Sequence, residues 1–448
     1  MDRRSFVRNT GIATAGFAIL PASQLFAQQQ TVKIGMIGVG LRGQNHLSNL
    51  LRRKDVLLTA ICDIDDDMLK RSLDMIKKSG KSEPKVFKGD PMAWKKLLEL
   101  KDLDAVIIST PWEWHTQMII GSIQAGVRYV GTEVMLGITL QDHWDVVKAA
   151  EQHKAQVMML ENVCYRRDVL AVLNMVRQGL FGEIIHLQGG YQHDLRHIKF
   201  NDGKSNNTGV EFGEKGFSEA RWRTNHSIHR NGDLYPTHGI GPVAEMIDIN
   251  RGNRFLTLNS FSTKARGLHN YIVDHSSEQH ANAKVKFKLG DVVTTTISCA
   301  NGETILLQHD TNLPRPYSLG FRVQGTKGIW MDVNDSIYLE GTSPRGHEWE
   351  LAKPYLDKYD HPLWARYGKD TEGAGHGGMD FFVLHAFVES IKRKTATPMD
   401  VYDAAAWSAI TPLSETSIEL GNQTVEFPDF TSGQWMLRKN DFALTDQY

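Results

Sequence analysis

The sequence predicts two domains of different class. The first is an α/β domain on a doubly wound parallel sheet of the Rossmann type. The second is an α+β domain with a large, open, mostly antiparallel sheet. Three observations lead there. Residues 31–162 alternate apolar strand-like runs with amphipathic helical runs, the pattern of parallel strands joined by helical crossovers. The first strand ends in Gly38, Gly40 and Gly43, within the run KIGMIGVGLRG, and Asp63 follows twenty residues after the last glycine. From residue 163 onward strand-like runs succeed one another without intervening helices.

In chain order, apolar runs at Val32–Val39, Leu57–Asp63, Ala105–Ser109, Arg128–Thr132 and Ala155–Leu160 are expected as strands. Helices are expected at Arg42–Arg53, Asp66–Lys78, Pro91–Leu98, His115–Ala125 and Leu140–His153. A helix at Arg166–Gln178, closed by Gly179, opens the second domain. Strands are expected at Ile184–Tyr191, Leu256–Ser262, Ala283–Leu289, Val292–Ser298, Thr304–Asp310, Phe321–Gly325 and Gly328–Asp332, with a hairpin turn at Leu289-Gly290-Asp291. Helices at Met379–Lys392 and Ala404–Leu420 are expected to pack back on the first domain. The segment Asp202–Gly232 is polar and irregular; a loop of that length inside a compact domain is usually functional or disordered.

The chain of 448 residues is 41% hydrophobic and 23% charged, with a net charge of −1. That is an ordinary soluble composition with length for two cores. It provides no global field toward nucleic acid or a membrane surface. Cys62, Cys164 and Cys299 have no metal-ligand spacing, so no metal site is expected, and they read as buried thiols. Residues 1–27 read as a twin-arginine export signal: Arg3 and Arg4, a short apolar stretch over Thr10–Leu20, and small residues at Ala22 and Ala27. Cleavage is expected after Ala27, and the reading implies a periplasmic or exported protein without stable membrane insertion.

The glycine pattern carries the first chemical reading. Gly38 permits a tight turn, Gly40 lets backbone approach a pyrophosphate, and Gly43 lets helix and strand pack closely. The following helix offers free N–H groups to phosphate. Asp63 would bond a ribose 2′-hydroxyl and repel a 2′-phosphate, so NAD is favoured over NADP. Ligands of such sheets bind at the carboxyl ends of the strands. These are Gly38–Gly43, Asp63, Thr110–His115, Glu133-Val134 and Glu161-Asn162.

The motifs GVGLRG, STPWEWH and GTEVM are similar to the glycine turn, threonine-proline loop and Glu-Lys-Pro motif of the Gfo/Idh/MocA oxidoreductases. Ordinary members carry a lysine after the glutamate that works in hydride transfer; here Val134 and Met135 follow Glu133. The longer stretches PWEWH, TEVMLGITLQDHWDVV, ENVCYRRDVL, GGYQHDLR, RNGDLYPTHGIGPV and AGHGGMD resemble a narrower group, the NAD-dependent α-N-acetylgalactosaminidases of glycoside hydrolase family 109. The resemblance implies hydrolysis of terminal α-N-acetylgalactosamine from a small molecule or glycan with a bound, recycled NAD. The sugar C3 is oxidised, the aglycone is eliminated, water adds, and C3 is reduced, an exception to two-carboxylate hydrolysis. It places NAD contacts at Leu41-Arg42, Asp63, Trp112, Glu113, Trp114, His115, Glu133, Val134 and Asn162. It also implies sugar contacts at Tyr191, Arg223 and Tyr317, and a homo-oligomer.

Carbon-acid chemistry beside a ketone needs a base that works near neutrality. His238 in Leu234-Tyr235-Pro236-Thr237-His238-Gly239 is the first candidate, with Tyr235 beside it and Tyr317 as a further one. Pro236 and Gly239 are expected to fix a bend that lets substrate approach, and Tyr235, Pro236, Thr237 and His238 to contact it. His376 and Asp380 are candidates for the same cleft. Two other readings stay open: a periplasmic NAD(P)-dependent sugar oxidoreductase, which the missing lysine disfavours, and a non-catalytic sugar- or nucleotide-binding module, which needs no base.

Overall fold

The computed structural model describes residues 31–448; the expected export signal at residues 1–27 lies outside the described residues. In the first domain the order is β1 (Val32–Ile37), α1 (Leu41–Arg52), β2 (Val56–Cys62), α2 (Asp66–Ser79), β3 (Lys85–Phe87), α3 (Ala93–Leu98), β4 (Ala105–Ile108), α4 (Trp112–Gln124), β5 (Tyr129–Thr132), α5 (Leu140–His153) and β6 (Gln156–Met159). The strands form one parallel sheet in the order β3-β2-β1-β4-β5-β6, the doubly wound Rossmann arrangement. Both faces are covered by helices, so β4, Ala-Val-Ile-Ile, is apolar at every position and wholly buried. Local chemistry sets the helix ends. The Asp65 side chain caps α2, whose carboxyl end closes on Gly80 at φ 70°. Thr139 and Asp142 form a capping box on α5. Strand β3, short and exposed at two of its three positions, carries too little apolar pattern to be read from sequence.

The second domain continues with α6 (Arg167–Arg177), β7 (Ile184–Gln192), α7 (Arg196–Lys199), α8 (Arg223–His229), α9 (Thr237–Met246), β8 (Phe255–Ser262), α10 (Gly267–His275), β9 (Val292–Cys299), β10 (Thr304–Asp310), β11 (Arg322–Gly325), β12 (Gly328–Met331), β13 (Ser336–Leu339), β14 (Glu350–Leu351), α11 (Lys353–Lys358), α12 (Pro362–Tyr367), α13 (Met379–Arg393), α14 (Val401–Glu419) and β15 (Val425–Glu426). Nine strands form a sheet in the order β14-β13-β12-β11-β7-β10-β9-β8-β15. It is antiparallel except where β10 runs parallel to β7.

One expected strand is absent. Ala283–Leu289 forms a single 3-10 turn and then irregular chain, so no hairpin forms at Gly290. The Asp291 carboxylate instead accepts from the N–H groups of Arg266 and Gly267 at 2.7–3.1 Å, which ties this chain to the start of α10. Helices α13 and α14 pack on the first domain, α13 against α1 and β1, α14 against α5 and β6. The Met159 N–H donates to the Met399 carbonyl across that seam. All three cysteines are free and buried.

Two glycines fix the seat of α9 on the sheet. A Cβ on Gly189 of β7 would lie 2.4 Å from the Gly239 carbonyl oxygen, and a Cβ on Gly239 would lie 2.3 Å from the Gly190 nitrogen. Gly239 therefore lets two backbones touch, where the sequence suggested room for substrate. The contact holds the first turn of α9, with His238 on it, against the end of β7 that carries Tyr191.

Candidate active site

The turn after β1 has the geometry a dinucleotide requires. Gly38 adopts φ 88°, and a Cβ there would lie 2.6 Å from the Ser109 carbonyl oxygen. Gly43 packs against the Gly38 carbonyl, which a Cβ would meet at 2.4 Å. A Cβ on Gly40 would meet nothing within 4 Å, so the backbone there borders open space. Helix α1 starts at this point with no side-chain cap and no acidic residue in its first turn, which leaves its N–H groups and positive dipole end for an anion. At the end of β2, Asp63 accepts from the N–H groups of Val39 at 2.7 Å and Asp65 at 2.9 Å. Burial pushes its carboxyl above the usual range against these bonds. A carboxylate has further lone pairs for a ribose hydroxyl. These features fit NAD.

The turn opens into a cavity of about 610 Å³ between the domains. From the first domain Gly38, Gly40, Leu41, Arg42, Asp63, Trp112, Trp114, Glu133, Val134 and Asn162 line it. From the second come Tyr191, His193, Glu219, Trp222, Arg223, Tyr235, His238 and His376. Residues 218–223 belong to the irregular segment noted in the sequence, and Arg221 reaches across to Asp65 at 3.1 Å.

Two charge clusters organise the floor. Glu133 is buried and ion-paired to Arg42 at 2.7 Å and His46 at 2.6 Å. Burial opposes its charge, but Arg42 and His46 hold its carboxyl down to about 2. Arg42 also pairs with Asp380 at 2.8 Å, and Asp380 accepts from Asn162 at 2.7 Å and contacts His376 at 2.7 Å. Desolvation is again overcome, and Asp380 lies well below the usual carboxylate range. In the second cluster, His238 Nδ1 lies 2.7 and 2.8 Å from the two oxygens of Glu161. Glu161 is fully buried and also accepts from the Val163 N–H at 3.0 Å. A carboxylate on Nδ1 fixes the tautomer with Nδ1–H donating and Nε2 carrying the lone pair.

Around His238 stands an aromatic wall. Tyr235 lies edge-on to it at 4.9 Å and Tyr191 at 5.3 Å. The Arg223 guanidinium sits over Trp112, Trp222 and Tyr235 at 5.2, 5.5 and 5.3 Å. Burial pushes the Tyr235 phenol well above its usual range, and the Tyr191 phenol upward; both stay protonated and are able to donate. No lysine lines the cavity among the described residues.

The family model described as "Glycosyl hydrolase 109, C-terminal domain" matches residues 165–437, and "Oxidoreductase family, NAD-binding Rossmann fold" matches residues 32–161. A "Glycosyl hydrolase family 109 protein" of Stenotrophomonas maltophilia is 59% identical over 100% of this chain and 99% of its own. The chain belongs to glycosyl hydrolase family 109. A family member from Tannerella forsythia named "Alpha-N-acetylgalactosaminidase" is 48% identical over 99% of both chains. The fold is also that of a solved levoglucosan dehydrogenase in complex with NADH, with TM-score 0.63 and 19% identity over 89% of this chain and 100% of that one. The first domain of this family 109 enzyme is thus an NAD-binding Rossmann domain.

Several residues singled out in the sequence stand elsewhere. Gly43 is packed under the turn. His115 is fully buried, with its ring nitrogens on the carbonyls of Met135 and Thr110, so it joins two strand-end loops of the family 109 first domain. Glu113 points to His226 at 3.5 Å. Pro236 and Thr237 begin α9 behind the cavity wall. Tyr317 lines a neighbouring groove, with its ring 6.5 Å from Tyr191. Sequence reasoning did not single out His193, Glu219 or Trp222. The motif GGYQHDLR holds His193 two places after Tyr191, just past the end of β7, and the irregular segment holds the others.

Proposed function

We propose that the protein is an α-N-acetylgalactosaminidase that works with a retained, recycled NAD. One observation carries the reading: the glycine turn and His238, held from behind by Glu161, face the same cavity. The Tannerella forsythia relative supports the choice of sugar.

Bound NAD supplies a hydride acceptor, and later a donor, at the sugar C3. The chain's own residues do the rest. With C3 at the ketone level, the C2 proton is acidic. His238 Nε2 takes that proton while the C2–H electron pair forms the C1–C2 double bond. The C1–O bond breaks, and the aglycone leaves with its electron pair. Glu161 holds the imidazole in place and stabilises the imidazolium as it forms. Tyr235 and Tyr191, kept protonated by burial, donate hydrogen bonds to sugar oxygens. Arg223, oriented by its aromatic box, donates to the acetamido carbonyl. Water then adds to C1, the proton it loses passing through solvent to the aglycone oxygen, and His238 returns the proton to C2. Val134, where oxidoreductases of this fold carry lysine, leaves the site without their proton carrier.

The test is hydrolysis of p-nitrophenyl α-N-acetylgalactosaminide by purified protein with no added nucleotide. Release of p-nitrophenol supports the reading, as does NAD recovered on denaturation. Turnover by protein free of nucleotide overturns the cofactor's part. Net NADH formation from a free sugar, without glycoside cleavage, identifies a sugar dehydrogenase instead. We further propose twin-arginine export of the folded, NAD-loaded enzyme, because that route accepts folded protein. Replacing Arg3 and Arg4 with lysine is expected to leave active enzyme in the cytoplasm; unchanged periplasmic delivery overturns the export reading.

A further inference from the structure

We propose that a groove on the second domain, apart from the cavity, binds a sulfated polysaccharide. It lies between the start of α10 and the chain from Ala283 to Asp291, and encloses about 830 Å³, within the range of ligand sites. It shares no lining residue with the cavity. Its basic side chains are Lys264, Arg266, His269, Lys284, Lys286 and Lys288. The run Lys-Val-Lys-Phe-Lys supplies half of them. Lys284, Lys286 and Lys288 are exposed, while Val285 and Phe287 between them are half-buried. Phe287 packs on Phe200 and Phe212, in a small core with Leu268 and Ile272 of α10. Alternate side chains of extended chain share a face, so the lysines stand in a row with attachment points roughly 6–7 Å apart.

The positive charge of these walls is not answered within the chain. Lys288 pairs with Glu419 at 2.9 Å, but Lys264, Arg266, Lys284 and Lys286 have no carboxylate partner among the described residues. The carboxylate in the lining, Asp291, is turned onto the backbone N–H groups of Arg266 and Gly267. A chain of net charge −1 thus concentrates cations in one groove, a field that draws a polyanion. The rest of the lining selects among polyanions. Single-stranded nucleic acid is held by stacking on exposed aromatic faces, and Phe287 is committed to the small core. A membrane surface takes apolar side chains beside the cations, and here Leu268 and Leu289 are buried. A sulfated sugar chain asks for neither. Lysines act as point charges, whereas the planar fork of arginine matches carboxylates. Lysines outnumber the single arginine in this groove. It therefore answers charge density, which a sulfated chain has above a uronic one.

The test is calorimetric titration of the purified protein with a size-defined heparin oligosaccharide. Binding is expected to weaken steeply between about 50 and 200 mM salt, as counterions released from a polyanion require. Lys284→Ser/Lys286→Ser, at two exposed side chains, is expected to lose about three- to tenfold in affinity, the worth of two exposed ion pairs, and to show a shallower salt dependence. Lys284→Arg/Lys286→Arg keeps the charge and should bind as wild type does. Lys77→Ser/Lys78→Ser makes the same charge change on exposed positions of α2 and should leave affinity unchanged. No binding to wild type, or equal losses from the two serine pairs, overturns the site. Hyaluronan bound as tightly as heparin overturns the need for sulfate. A single-stranded oligonucleotide or anionic phospholipid vesicles bound more tightly than heparin through the same lysines overturn the ligand class. Binding is read without turnover, so failure of the glycosidase reading leaves this result standing.

Discussion

His238 and Tyr235 lie edge to face, yet their surroundings assign them different work. Glu161 on Nδ1 leaves the Nε2 lone pair of His238 facing the cavity, whereas burial holds Tyr235 protonated far above neutral pH. His238→Ala is therefore expected to slow turnover by roughly 10²–10⁴-fold, the worth of a positioned general base. NAD content should be unchanged, because the glycine turn and Asp63 lie on the other domain. Tyr235→Phe keeps the ring that packs on Tyr191 and Arg223 and should cost less. Steady-state rates together with nucleotide released on denaturation check both variants. Near-normal turnover by His238→Ala would remove the histidine from the mechanism. A loss in Tyr235→Phe as large as in His238→Ala would make the phenol the base. Sequence could pair His238 with Tyr235, which are neighbours in the chain. It had no means to pair His238 with Glu161, 77 residues away, because that pairing exists only once β6 and α9 share a cleft.

At the level of elements, the seat of α9 on β7 is the contact that aims His238. Gly239→Ala puts a methyl group onto the Gly190 backbone, which has no side chain to move aside. Overpacking of this kind costs about 1–3 kcal/mol. The expected outcome is a lowered thermal midpoint and a rate loss larger than the stability loss explains, with NAD retained; wild-type kcat and melting would show that the close approach is not needed. The seam of α1 and α13 gives a pH prediction. Glu133 has an ordinary carboxyl value of 4.5 and is held to about 2 in the folded protein. A depressed carboxylate stabilises the fold above its unfolded value, and that contribution is lost as pH falls through the folded one. About 3 kcal/mol should therefore disappear between pH 4.5 and 2. The gap in urea midpoint between wild type and Glu133→Gln should narrow over that window, and a constant gap would count against the ion pairs. The elements most legible in the sequence were those whose pattern is strong by itself. Helix α5 has a capping box, β4 is an unbroken apolar run, and β10 is bounded by turns. Where tertiary contact decides, the pattern misled. Lys284, Val285, Lys286, Phe287 and Lys288 alternate as a strand would, but the chain beside them closes on Asp291 and α10 rather than on another strand.

For the whole molecule, the proposed reaction needs a hydride site and a base on one sugar ring, and neither domain has both. The glycine turn and Asp63 belong to the first domain and His238 to the second. Glu161, at the end of β6, carries the first domain's hold across to the histidine. If this is the machine, the C2–H bond must break during turnover, although hydrolysis at C1 does not require it. Hydrolysis by two carboxylates leaves C2–H untouched at any rate. His238 lines the open cavity and keeps part of its ring accessible, so its proton exchanges with solvent. N-acetylgalactosamine released in D2O is then expected to carry deuterium at C2, read by mass spectrometry and by loss of the H2 proton signal. A substrate deuterated at C2 should also turn over more slowly wherever proton removal limits the rate. That second measurement covers a base that returns its proton before exchange. Product without deuterium, together with no isotope effect in single-turnover rates, would exclude elimination and leave direct displacement at C1. The cleft between the domains would then have to supply two opposed carboxylates. Of the carboxylates that line it, Glu133 is already bound to Arg42, Glu219 to Arg223 and Asp65 to Arg221, and Asp63 accepts from two backbone N–H groups, which is the structural reason to expect the deuterium.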